Sequence, residues 1–229
     1  MDNQAKTVRT TARIIGALFL LATASSIAGF SIVESFTGAP DYLSLVYPDR
    51  RELSWGLIFH LVNDASVVGI GILMFGLFKK LNPNIATTIL STRLLEGGLL
   101  CIGKIGLLLL MTISKQYIAA GMPEASHFQT LGTLAIKWHA WSFEMAMIAL
   151  GLGGVTLGWL LYSARLVPRW IAVLGVIGYV CLFTRSALSI LGYPQGFALF
   201  APVALFEFVI PVWLIFKGVN LGHINHQEG

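Results

Sequence analysis

Six stretches of this chain run for about 20 residues or more with apolar side chains and very few charges, at roughly 12–34, 55–78, 86–113, 136–162, 168–192 and 196–217. At 1.5 Å per residue each is long enough, as a helix, to cross a hydrocarbon layer of roughly 30 Å. Continuous apolar runs of this length exclude a membrane barrel, whose strands alternate in short segments. Only 11% of the residues are charged and the mean hydropathy is +0.77, where a soluble domain carries about twice that charged fraction. The fold class is therefore an all-α integral membrane protein, a bundle of six transmembrane helices forming a single domain over residues 1–229.

The cations fix the expected orientation. Lys6, Arg9 and Arg13 precede the first run, and Lys79 and Lys80 follow the second. Arg165 and Arg169 separate the fourth from the fifth, and Lys217 closes the sixth. Six crossings put all of them on one side, which the positive-inside rule makes the cytoplasm, with both termini there. The formal net charge of +4 then reports topology and not nucleic-acid binding. Loops around 37–54 and 114–135 lie on the opposite side, the second containing Pro123, Glu124 and His127. The amino-terminal run Ile14–Val33 is longer than a typical signal core and reads as an uncleaved first span. Trp55, Trp138, Trp141, Trp159, Trp170 and Trp213 fall near proposed interfaces. Gly151-Leu-Gly-Gly154 and Gly175-Val-Ile-Gly178 offer close helix approach. Cys101 and Cys181 sit inside apolar segments, without the spacing of a metal knuckle or a disulfide framework.

The functional signal is the ionisable residues inside the spans: His60, Asp64, Arg93, Glu96, Lys104, His139, Glu144, Arg185 and Glu207. A lone Asp, Lys or Arg at a helix centre costs roughly 2.5–3.5 kcal/mol on insertion scales, so such groups pair or face a wet cavity. Counting from span midpoints puts His60, Asp64, Lys104, Glu144 and Arg185 at or outside the midplane and Glu207 near it. These six are the candidate ligand-binding or proton-relay residues. Arg93 and Glu96, three apart in the inner half, form a candidate ion pair. His60 and Asp64 share a helix face at i, i+4. With His139 they are candidate metal ligands, and the two histidines alone are candidate haem ligands. Pro211 removes the hydrogen bond to the Glu207 carbonyl, so the last span is expected to break beside that carboxylate. Arg185 is the expected counter-ion of Glu144 or Glu207, while Lys104 either snorkels outward or finds an interior partner.

Ala12-Arg-Ile-Ile-Gly16, Arg93-Leu-Leu-Glu-Gly97, Leu166-Val-Pro-Arg-Trp170 and Glu207-Phe-Val-Ile-Pro-Val-Trp-Leu-Ile-Phe-Lys-Gly218, in this order over nearly the whole chain, resemble the bacterial multi-pass membrane proteins of the domain-of-unknown-function family 4386. The resemblance implies a compact helical bundle in the plasma (inner) membrane and supplies no catalytic residues. The residues themselves favour a protein that binds or transports a small polar or ionic ligand, with a proton coupled to it. The alternatives are a haem- or metal-binding membrane enzyme and a structural or regulatory membrane partner. The bilayer is the first partner. No nucleophile elbow, HExxH, phosphate loop or CxxC is present to indicate an enzyme, and the sequence names no cofactor.

Overall fold

A computed structural model describes residues 2–123 and 127–220, with side chains from residue 6 onward. Among these residues the chain is helical without strands. The helices are α1 (Asp2–Thr37), α2 (Tyr42–Leu45), α3 (Arg50–Phe78), α4 (Pro83–Ala119), α5 (His127–Ser163), α6 (Arg169–Ile190) and α7 (Ala201–Phe216), with a 3-10 turn at Phe197–Leu199 before α7. Six are long and apolar enough to span a membrane, α7 together with its leading turn counting as one. The all-α class and the six expected crossings are thus borne out. Two boundaries differ. α4 and α5 are each 37 residues long, about 55 Å at 1.5 Å per residue, and most of the loop expected at 114–135 is helix. Hydropathy detects only the stretch inside hydrocarbon; a helix stabilised by neighbours continues beyond it. Glu124 lies outside the described residues.

Local chemistry sets several ends. Asn82 caps α4 by accepting the Ile85 amide at 3.0 Å, and Pro83 follows it where its missing N–H costs nothing. α5 closes with the Leu166 N–H on the Leu161 carbonyl at 3.1 Å, a turn that puts Arg165 in the left-handed region at φ 52°. Glycine is the usual occupant there. The expected break in the last span is absent as an interruption: α7 runs through Pro211.

The helices close into a ring in which α1 packs on α3, α3 on α4, α4 on α5, α5 on α6, α6 on α7, and α7 back on α1. Glycines set the closest approaches. Gly154 of α5 lies flat against the Tyr179 ring of α6 with no room for a Cβ, and Gly178 meets the Val203 backbone of α7. Two apolar cores fill the ring. The larger includes Ile15, Phe19, Met74, Leu100, Leu157 and Phe206, toward the cation-rich end. The smaller includes Val33, Leu53, Leu57, Leu107 and Leu110, at the opposite end. Outside, side chains such as Ile27, Phe30, Leu152 and Phe208 are exposed, the apolar perimeter that lipid covers. Inside, a polar layer separates the two cores: on α3 it falls between Leu57 and Ile70, and on α4 between Leu100 and Leu107.

Candidate functional site

That layer begins on one face of α3. His60 and Asp64 are one turn apart, and Asp64 meets Lys104 of α4, whose Nζ stands 2.8 Å from Oδ2 and donates to Oδ1 at 3.0 Å. Both side chains are 7% exposed. The Asn63 amide donates to the same Oδ1 at 3.2 Å. Lys104 therefore takes the interior partner and does not snorkel. His139 of α5 sits beside this pair, its ring 6.0 Å from that of His60 and tilted by 58°. Its Nδ1 lies 3.2 Å from the Gly103 carbonyl. A carbonyl can only accept, so Nδ1 carries a proton, and in the neutral ring Nε2 is the acceptor. His60 packs against Gly29 of α1, and its Nε2 is buried with no hydrogen-bond partner among the described residues.

α4 carries the polar path inward on a single face, because positions 93, 96, 100 and 104 recur at three- and four-residue spacing. Arg93 Nη1 donates to Glu96 Oε2 at 3.0 Å, the side chains being 6% and 3% exposed. The guanidinium lies 5.5 Å over the Phe19 ring of α1, and its stem presses on Gly71 of α3, where a Cβ would come within 2.7 Å. Arg93 Nη2 is buried without a hydrogen-bond partner. Across the ring, the fully buried Tyr179 of α6 donates its hydroxyl to Glu207 Oε1 of α7 at 3.1 Å. Glu207 is half-buried and lies within electrostatic range of both Arg93 and Glu96, and Glu96 in turn lies within range of Asp64. His139, His60, Lys104, Asp64, Glu96, Arg93, Glu207 and Tyr179 consequently make one file through five helices.

Glu144 and Arg185 stand apart. Arg185 Nη1 donates to both Glu144 oxygens, at 3.0 and 2.9 Å, and Ser189 adds a bond at 3.2 Å. This clamp joins α5 to α6. Arg185 is not the partner of Glu207. Positions 179 and 185 of α6 are six residues apart, which sets them about 9 Å apart along the axis and about 240° around it, so Tyr179 and not Arg185 faces α7. The nine ionisable side chains therefore do not gather in one pocket; they divide into a file and a clamp.

His60, Asp64 and His139 do not make a metal site by geometry: among the described residues, no group of three His, Cys, Asp or Glu side chains is placed to hold an ion. Asp64 is committed to Lys104, and one ring nitrogen of His139 to a carbonyl. Cys101 and Cys181 are unpaired. Tyr179 is the residue that sequence reasoning missed. Its signal was available, since a tyrosine in mid-span, away from the interfacial belt, must hydrogen-bond its hydroxyl within the protein.

The model of a family described as a domain of unknown function, DUF4386, matches residues 14–218. No curated protein and no solved structure matches the chain.

Proposed function

The chain belongs to the DUF4386 family, and from that premise we propose that it takes a small polar or ionic ligand into the outer part of its ionisable file, with a proton moving along the inner part. In this reading the six-helix unit works as one domain of the plasma membrane, its cation-rich end in the cytoplasm. His60 and His139, whose rings stand beside the Lys104–Asp64 pair, are the ligand-facing groups. Glu96, Arg93, Tyr179 and Glu207 form the proton-handling end. The carrying observation is the continuity of the file: eight ionisable groups from five helices, linked by contacts or electrostatic range, its outer part between the two apolar cores and its inner part running into the larger one. Buried charges that only held helices together would need no such succession; isolated pairs like Arg185–Glu144 would do.

Two measurements on the purified protein test this. In proteoliposomes loaded with a pH-sensitive dye, a potassium-valinomycin potential should drive proton entry faster than in Glu207→Gln vesicles. A melting-temperature screen against small organic cations, anions and zwitterions should yield stabilising compounds whose effect His60→Leu removes. Equal proton flux in the two preparations, together with a screen without hits, defeats the reading.

The clamp supports a narrower structural role for Glu144 and Arg185 themselves. Both Glu144 oxygens are engaged by α6, which leaves this buried carboxylate holding helices and not a ligand.

A further inference from the structure

At the cation-rich end, a bay of about 320 Å³ opens between the α5–α6 connection and the end of α7. Arg165, Pro168, Trp213 and Lys217 line it, and a backbone bond from Asn220 N–H to the Leu166 carbonyl at 2.9 Å ties its two walls together. We propose that this bay holds the phosphate-bearing headgroup of an anionic phospholipid, with Arg165 and Lys217 as the charged contacts.

Charge distribution supplies the first support. Among the residues with described side chains, the acidic ones are Glu34, Asp41, Asp49 and Glu52 at the opposite end, and Asp64, Glu96, Glu144 and Glu207 within the spans. None lies near the bay, while Arg9 reaches Gly218 and Arg13 donates to the Ile215 carbonyl at 3.3 Å beside it. The exposed Arg165 and Lys217 side chains have no ion-pair partner among the described residues. Such an uncompensated basic recess at headgroup depth attracts anionic lipid. Trp213 on the wall is a residue type that favours this depth. α6 starts at the bay with Pro168 as its N-cap and no side-chain cap, and a helix start favours an anion.

The second support is conformational. Arg165 occupies the left-handed position that closes α5, at φ 52°, where glycine would be unstrained. An arginine held there is strained for a side chain that has no ion-pair partner among the described residues, and strain of this kind collects at binding sites. The consequence is a variant whose two effects have opposite signs. Arg165→Gly relieves the backbone while removing a headgroup contact.

The experiment uses the full chain in phosphatidylcholine bilayers. Brominated phosphatidylglycerol or brominated phosphatidylcholine is titrated in, and the tryptophan quenching lost in Trp213→Phe is taken as the bay's signal. The wild type should prefer the anionic lipid. Arg165→Gly and Lys217→Gln should each lower that preference about fivefold, the effect of one basic residue at a membrane surface. Arg165→Gly should also melt at the same or a higher temperature, which separates lost binding from misfolding. The proposal is overturned by an unchanged preference in Arg165→Gly. It is equally overturned if soluble inorganic phosphate abolishes the preference, making free phosphate the occupant, or if the preference emerges only in a chain shortened after Asn220, making residues 221–229 the occupant.

Discussion

Lys104 and Asp64 show how much a single residue's chemistry predicts and where it stops. That both need partners follows from hydrocarbon being a poor solvent for charge, and the sequence alone says so. That they partner each other, 40 positions apart, depends on which faces of α3 and α4 meet, and hydropathy carries no azimuth. The same gap hid Tyr179, which a search restricted to charged residues passes over. It also left Arg185 with two candidate partners when only Glu144 lies on the right side of α6. The pair has a clear energetic signature. Lys104→Met strands a desolvated carboxylate and should cost ~3–5 kcal/mol of stability, whereas Lys104→Met with Asp64→Leu should restore most of it, because apolar replacement of a buried pair is close to neutral. Unfolding by SDS titration in mixed micelles reads both variants. A single substitution as mild as the double one would mean that water reaches the pair. The double variant should at the same time lose any ligand stabilisation, separating the fold's need for these charges from the function's.

At the level of elements, existence was legible and extent was not. Each apolar run became a helix. Residues 127–135, polar enough to read as loop, instead extend α5, because a helix that already pays its nucleation cost gains one hydrogen bond for each residue added. The outer connection between α1 and α3 was equally opaque: the sequence suggested a loop around 37–54, and the structure folds α2 there and pins it to α4. Ser114 is the pin. Fully buried, it donates to the Leu43 carbonyl at 2.6 Å and accepts the Tyr47 amide at 2.9 Å. Ser114→Ala leaves both backbone groups unpaired out of water and should cost ~1–3 kcal/mol. Its local mark is faster hydrogen exchange at the Tyr47 amide, with exchange in the middle of α4 unchanged. If Tyr47 exchanges as in the wild type, α2 is held by its apolar contacts and the hydroxyl is incidental.

For the whole molecule, the parity of the crossings decides everything else, since an even number between the Lys79–Lys80 and Arg165–Arg169 turns puts them at the same end and an odd number separates them. The ring from α1 through α7 back to α1 requires the even count: Arg13 of α1 touches the last turn of α7, and the segment after α7 bonds to the α5–α6 connection. Four exposed positions test this in a background with Cys101 and Cys181 replaced by serine. Lys80→Cys and Arg169→Cys should react with a membrane-impermeant maleimide from one face of a sealed vesicle, and Asp41→Cys and Ala120→Cys only from the other. In right-side-out vesicles the first two should be protected, because turns rich in Lys and Arg stay on the cytoplasmic side. Labelling of Lys80→Cys and Arg169→Cys from opposite faces would break the ring and, with it, the file, since Glu207 could then no longer lie at the height of Arg93. Labelling from the same face, but the external one, would keep the ring and invert the direction in which ligand and proton travel.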